Sequence, residues 1–132
     1  MDITSEYRHG RTVISALHVH LVFISKSTKE IFAAEHYAEM KEIFTRVCKK
    51  AGAELIEVDG KDDHVHLLVN YPPTVYLPEL VNSLKGVSSR LLRSKFPALK
   101  RGDALWSPSY FVASCGGAPL EIIKQYIEQQ RI

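Results

Sequence analysis

The fold of this chain is decided by residues 53–70, AELIEVDGKDDHVHLLVN. Apolar and β-branched residues predict one strand over 53–59 and a second over 64–70. Residues 60–62, Gly-Lys-Asp, predict the turn between them, so the two strands form a hairpin. Because alternate side chains of a strand point to the same face, His64 and His66 are expected to share one face of this hairpin.

The rest of the chain supplies elements on both sides of the hairpin. The patterns predict, in chain order, a strand over 13–24, a helix from Glu35 to a stop at Gly52, a helix from Pro78 to just before Pro97, a strand over 105–114 and a last helix over 119–130. The first six elements, with the hairpin included, have the βαββαβ order of a ferredoxin-like α+β domain. In that fold both helices pack on one face of an antiparallel sheet.

Length and composition set the class of protein. At 132 residues, with 45% hydrophobic and 24% charged residues, the chain is expected to be one domain over 1–132. Residues 1–11 read as a polar arm, and residues 118–132 as an appended helix behind Gly116-Gly117. No signal peptide or bilayer-length apolar stretch is recognised, and the two cysteines lack metal spacing, so we expect a cytoplasmic protein without a membrane partner.

Two His-x-His pairs are candidate metal ligands. Paired imidazoles on one strand face can grip one divalent ion through their ring nitrogens. His64 and His66 open their strand beside Asp62 and Asp63, which could orient the rings from a second shell. The pair at 18 and 20 lies mid-strand among apolar residues and is the weaker candidate. For both pairs the alternative is a structural role, because six histidines often produce this spacing by chance.

A second candidate element lies near the end of the chain. Tyr126 and Gln130 are four residues apart in a helical pattern, which places a possible nucleophile and a polar metal ligand on one helix face. The alternative is that Tyr126 packs beside the apolar stripe of its helix and that Gln130 is a solvated helix end.

A basic segment over 83–101 is the candidate nucleic-acid surface. It carries six basic residues and no acidic one, whereas the whole chain has a net charge of +2. This contrast favours a phosphate backbone as partner, although a solvated helix face is the alternative. The candidate contacts on the segment are Lys85, Ser88, Ser89, Arg90 and Arg93. Gly86 could permit close approach of another backbone.

Aromatic residues follow this basic segment. Trp106, Tyr110 and Phe111 could stack on unpaired bases, which gives sequence-tolerant binding of single strands. The alternative is that these side chains fill the core of the sheet.

Several ordered blocks of this chain resemble one known family. They are DHVHLL at 63–68, LKGVSSR at 84–90, LWSPSY at 105–110, GGAP at 116–119 and KQYIEQQ at 124–130. Together they resemble the TnpA-type transposases of small insertion sequences, which are single-tyrosine enzymes of the HUH class. The resemblance extends from about residue 13 to residue 130.

The resemblance implies roles for particular residues. His64, His66 and Gln130 would hold Mg²⁺ or Mn²⁺, and Tyr126 would attack single-stranded DNA to form a 5′-phosphotyrosine intermediate. His20 also matches a family position, whereas His18 does not. Lys26 is kept in the loop after the first strand, where DNA contacts are expected. The family further implies hairpin-bearing single-stranded DNA as substrate, and a homodimer whose active sites can be composite.

Two other functions are compatible with the same sequence features. One is a non-catalytic ferredoxin-like protein that binds single-stranded nucleic acid and whose histidines are structural. The other is a metal phosphoesterase in which water attacks the phosphate, so that cleavage does not need Tyr126.

Overall fold

Between residues 18 and 114, the described strands and helices of this protein follow the predicted order. The computed structural model describes residues 8–9, 14–15, 17–26, 32–100, 102 and 104–114. Within these residues the strands are β1 (Arg8–His9), β2 (Ile14–Ser15), β3 (His18–Ile24), β4 (Glu54–Lys61), β5 (His64–Asn70) and β6 (Phe111–Ser114). The helices are α1 (Ala34–Lys50) and α2 (Leu77–Lys95), and a short 3₁₀ turn covers Pro97–Leu99.

Four strands form one antiparallel sheet in the order β4-β5-β3-β6. β1 and β2 pair with each other in a separate two-stranded ladder. From β3 to β6 the elements have the order βαββαβ. In the sheet, β5 lies between β4, which it follows in the chain, and β3. The predicted ferredoxin-like α+β fold is confirmed.

Both helices pack on the same face of the sheet. This face is lined by buried side chains at alternate positions of the central strands, namely Val19, Leu21 and Phe23 of β3 and Val65, Leu67 and Val69 of β5. The helices contribute Met40, Ile43, Phe44 and Cys48 from α1 and Leu80, Val81, Leu84 and Leu92 from α2. Period-two alternation therefore places the intervening residues of β3 and β5, including all four paired histidines, on the face opposite the helices.

Local sequence signals explain the helix boundaries. The backbone N–H of Ala33, just before α1, donates to Nδ1 of His36 at 2.8 Å, which occupies a donor at the helix start. Gly52 follows α1 with φ of +82°, a conformation that glycine adopts without strain. In α2, Pro78 lies in the first turn, where helices tolerate its missing N–H.

Two strand boundaries differ from the prediction. The single strand predicted over 13–24 is wrong: β2 pairs with β1, and β3 begins at His18, because His18 pairs with Asn70 at the end of β5. The turn predicted over 60–62 lies at Asp62 and Asp63 instead, because Gly60 and Lys61 still find ladder partners in β5.

The strand predicted over 105–114 is also wrong in its first half. Only Phe111–Ser114 forms β6, and Trp106 makes an isolated bridge with Ser25. The indole of Trp106 is buried in the core, and Pro108 has no N–H for a ladder bond.

The predicted arm over 1–11 is described only at Arg8–His9, and the predicted helix over 118–132 lies outside the described residues. Among the described residues, neither helix is both long and apolar enough to cross a bilayer.

Candidate active site

His64 and His66 are the first and third residues of strand β5. Across the ladder, His64 pairs with Ile24 of β3 and Lys61 of β4, and His66 pairs with Val22 and Asp59. The face opposite the helices is therefore where both imidazoles lie, as the two-residue spacing predicted.

Asp63 holds the ring of His64. Its Oδ1 lies 2.9 Å from Nδ1 of His64, and the two side chains are only 6% and 7% exposed. A carboxylate only accepts hydrogen bonds, so Nδ1 is a protonated nitrogen, and in the neutral form of the ring the lone pair is on Nε2. A carboxylate on the far nitrogen is the usual support of a metal-binding histidine.

Asp62, the neighbouring acid, is placed differently. Its side chain is exposed, and its backbone oxygen accepts a hydrogen bond from the N–H of Phe32 at 3.0 Å. Of the two acids predicted to support the histidines, the structure thus brings Asp63 into contact with a ring.

His66 is more accessible than His64. Its side chain is 36% exposed, and its Nε2 lies 4.0 Å from Oδ2 of Asp59. Burial lowers the pKa of His66, the charge of Asp59 acts in the opposite direction, and the neighbouring His64 and His20 lower it further. A lowered pKa favours the neutral imidazole, which is the form that binds metal.

Sequence reasoning missed Asp59 and Tyr37. Asp59 reaches His66 through the β4–β5 register, which the misplaced turn obscured. Tyr37 lies in the first turn of α1, and its hydroxyl donates to the backbone oxygen of His64 at 3.2 Å. Burial first, and then the charges of nearby aspartates, raise the pKa of Tyr37. No spacing rule in the sequence signals either contact.

Two histidines do not complete a metal site. Among the described residues, no group of three His, Cys, Asp or Glu side chains is placed to hold one ion. Tyr126 and Gln130, the predicted nucleophile and third ligand, lie outside the described residues.

Much of the basic segment makes contacts within the protein. Nζ of Lys85 donates to the backbone oxygens of Ser107 at 2.7 Å and Pro108 at 3.3 Å, and burial lowers its pKa. A guanidinium nitrogen of Arg93 donates to the oxygen of Gly102 at 2.7 Å. Lys95 bonds Glu39 of α1 at 2.7 Å.

Other predicted DNA contacts range from exposed to buried. Arg90 and Lys26 are exposed, and Ser89 is half-buried. Ser88 is fully buried: its Oγ donates to the oxygen of Lys85 at 3.1 Å and accepts from Nε1 of Trp106 at 2.9 Å. The hydroxyl of Ser88 thus holds the indole inside the core.

The predicted stacking residues are also divided. Trp106 packs against the rings of Phe23 and Phe32, with centroids 5.8 and 5.3 Å away, which is the core alternative. Tyr110 lies under Nζ of Lys85, 5.8 Å from the ring centroid. Phe111 is half-buried and pairs with Val22 in the same row of the sheet as His66. Gly86 has open space around it, since an added Cβ would meet no atom within 4 Å.

Known proteins share both the sequence and the fold. Over residues 13–130 the chain matches the family described as transposase, IS200 like. The ISDra2 transposase TnpA of Deinococcus radiodurans is 32% identical over 128 residues, which cover 95% of this chain and 91% of that protein. The transposase of insertion sequence element IS200 from Salmonella typhimurium is 29% identical over 114 residues, covering 84% and 74%.

Solved structures agree with this relationship. A Deinococcus radiodurans protein crystallised as a candidate transposase superposes with a TM-score of 0.84 and 33% identity, over 93% of this chain and 97% of that one. A tyrosine transposase bound to a REP hairpin shares the fold alone, with a TM-score of 0.57 and 11% identity over 92% and 68% of the two chains. The match over 13–130 spans most of the chain and confirms the resemblance, and this chain therefore belongs to the IS200-like transposase family, whose activity is DNA transposition.

Proposed function

We propose that this transposase cuts and rejoins single-stranded DNA through Tyr126, at a site where His64, His66 and Gln130 hold a divalent ion. The observation that carries the proposal is the buried hydrogen bond between Asp63 and Nδ1 of His64. In the neutral ring this contact leaves the lone pair on Nε2, and the partly exposed His66 lies two residues along β5 on the same face.

The donor set fits Mg²⁺ or Mn²⁺ when an oxygen ligand is added. Imidazole nitrogens suit transition ions, and the amide oxygen of Gln130 would add the oxygen donor that harder ions prefer. When bound, the ion would polarise a non-bridging phosphate oxygen and stabilise developing negative charge. The residues of this chain would hold the ion and, through Asp63, fix the ring of His64.

Tyr126 supplies the nucleophile in this proposal. Its phenolic oxygen forms a bond to phosphorus while the bond from phosphorus to the 3′ oxygen breaks. The phenol gives up its proton and the departing 3′ oxygen gains one, leaving a 5′-phosphotyrosine and a free 3′-OH. One phosphoester replaces another, so rejoining to a second 3′-OH by the reverse reaction needs no ATP.

The proposed DNA path uses those predicted contact residues whose side chains remain accessible. Arg90 and Lys26 are exposed and Ser89 is half-buried, and these three could contact phosphates directly. Lys85 and Arg93 bond backbone oxygens of the segment that leads to β6, so they would add positive charge from fixed positions. Ser88 is fully buried and does not enter this proposed path.

We take a hairpin-bearing single strand as the substrate and a homodimer as the active assembly. The tyrosine transposase that shares this fold was solved with a REP hairpin, which supports the choice of substrate. Gly116-Gly117, just before the predicted tyrosine helix, would let that helix dock on its own histidine pair or on its partner's.

The test is covalent capture of DNA by the full chain. Single-stranded oligonucleotides that carry a hairpin and a 3′ label are incubated with the protein and Mn²⁺, and then separated on a denaturing gel. We expect a labelled protein–DNA adduct with the wild type and with Tyr76→Phe, an exposed tyrosine that serves as the matched control. We expect no adduct with Tyr126→Phe.

Other outcomes would overturn the proposal. An adduct that persists in Tyr126→Phe would assign the nucleophile elsewhere. DNA cleavage that persists in Tyr126→Phe and forms no adduct would indicate a phosphoesterase that uses water. Salt-sensitive binding with neither cleavage nor dependence on a divalent ion would indicate a binding protein.

A further inference from the structure

We infer that Tyr37 of α1 is a positioning residue for His64, and that Gly60 of β4 provides the space this tyrosine needs. The inference rests on the proposed function, because it concerns the affinity of the histidine pair for a divalent ion. It assigns a role in the metal site to a side chain from a helix on the other side of the sheet.

The contact joins α1 to the first residue of β5. The hydroxyl of Tyr37 donates to the backbone oxygen of His64 at 3.2 Å, across 27 residues of sequence. Tyr37 lies in the first turn of α1, whose start is held by the Ala33 and His36 capping contact. The hydroxyl thus ties the backbone that carries the first metal ligand to the start of the helix.

Gly60 makes this contact possible. A Cβ at Gly60 would lie 2.9 Å from Cε1 of Tyr37 and 3.0 Å from Cα of Val65, and its nearest neighbour would be the backbone oxygen of His64. That oxygen is the acceptor of the tyrosine hydroxyl. Any larger side chain at position 60 would therefore push apart the groups that form the hydrogen bond.

Two backbone hydrogen bonds hold the residues just before His64. The N–H of Ser25 donates to the oxygen of Asp63 at 2.9 Å, and the N–H of Phe32 donates to the oxygen of Asp62 at 3.0 Å. The backbone oxygens of three consecutive residues are thus anchored from the residue after β3, from the chain before α1 and from α1 itself. Of these three anchors only the third comes from a side chain, so it can be removed without altering the backbone.

Anchoring the backbone here matters because His64 is held on two sides. Asp63 fixes the rotation of its ring, and the three anchors fix the position of its Cα. A metal ligand held in its binding geometry loses less conformational freedom when the ion arrives, so loosening the backbone weakens binding.

The test is a Mn²⁺ titration of the full chain, monitored by the EPR signal of free Mn²⁺, well below the melting temperature of each variant. Tyr37→Phe keeps the ring but loses the donor, and we expect its dissociation constant to rise about tenfold, the lower end for loss of an outer contact. Gly60→Ala should raise it further. Tyr76→Phe and Gly86→Ala are the matched controls and should leave it unchanged, because Tyr76 is exposed and a Cβ at Gly86 meets open space.

The outcomes separate this inference from the proposed function. If the wild type binds Mn²⁺ but Tyr37→Phe binds it equally well, Tyr37 has only a structural role and the inference is wrong, even if the melting temperature falls. If Gly60→Ala does not fold, Tyr37→Phe still decides. If the wild type binds no Mn²⁺, or binds it unchanged after His64→Ala, the proposed function and this inference both fail.

Discussion

The two His-x-His pairs lie on the same face of the same sheet, in neighbouring antiparallel strands. At the start of β5, Nδ1 of His64 is hydrogen-bonded to the buried carboxylate of Asp63. His18, at the start of β3, lies with its Nε2 3.3 Å from Nδ2 of Asn70, at the far end of β5. An amide NH₂ can only donate, so the Asn70 contact occupies the lone pair of Nε2.

This difference shows that equal spacing does not make equal sites. Asp63 bonds Nδ1 of His64, so Nε2 of that ring is the nitrogen that can bind a metal ion. Asn70 instead bonds Nε2 of His18, the corresponding nitrogen of the other pair. His20 lies between the two cases: it pairs with Leu68, two residues along β5 from His66, and its charge lowers the pKa of His66. The first pair therefore borders the proposed site without forming a second one.

The largest expected effect comes from removing a ligand. His64→Ala or His66→Ala should reduce single-turnover cleavage of hairpin-bearing single-stranded DNA on the order of 10³-fold, because the developing phosphate charge loses its stabilisation. His18→Ala, the same substitution in the other pair, should leave the rate unchanged. Equal losses of cleavage rate in His64→Ala and His18→Ala would show that the two pairs do not differ in function.

A smaller effect is expected from the support of the ligand. Asp63→Asn keeps the size of the side chain but removes the charge that sets the His64 tautomer. We expect the dissociation constant of the Asp63→Asn variant for Mn²⁺ to rise roughly 10- to 100-fold. Isothermal titration calorimetry provides the measurement, and unchanged affinity would show that Asp63 does not support the metal site.

The smallest effect is expected at the other pair. Asn70→Ala removes the hydrogen bond to His18 and should lower the free energy of unfolding by about 1 kcal/mol, as is typical for one such bond. Urea denaturation measures this loss. The affinity for Mn²⁺ should stay as in the wild type, and a parallel loss of affinity would place Asn70 in the metal site.

Much of the fold could be predicted because its signals are local. The helix that stops at Gly52 and the helix with Pro78 in its first turn were predicted from apolar periodicity and terminal residues, and β5 was predicted with its observed bounds. The errors occurred where a partner elsewhere in the chain decides the structure. Gly60 and Lys61 extend β4 because β5 offers them pairing partners, which a turn-like composition does not reveal.

The basic segment shows the same limit for side chains. Its charge was evident from the sequence, but the contacts were not. Lys85 and Arg93 bond backbone oxygens, and Ser88 holds the indole of Trp106. These partners are 9 to 23 residues away along the chain, so composition alone cannot separate them from Arg90, which remains exposed.

The sequence by itself determined the order of the elements and the face on which His64 and His66 lie, because the periods of strands and helices act over a few neighbouring residues. Its ordered blocks also determined the family. Only the tertiary structure decided which nitrogen of His64 and of His18 is occupied, which basic residues stay at the surface, and that Tyr37 reaches His64 past Gly60. The physical reason is that such contacts depend on strand register and on helix packing, which join residues distant in the chain.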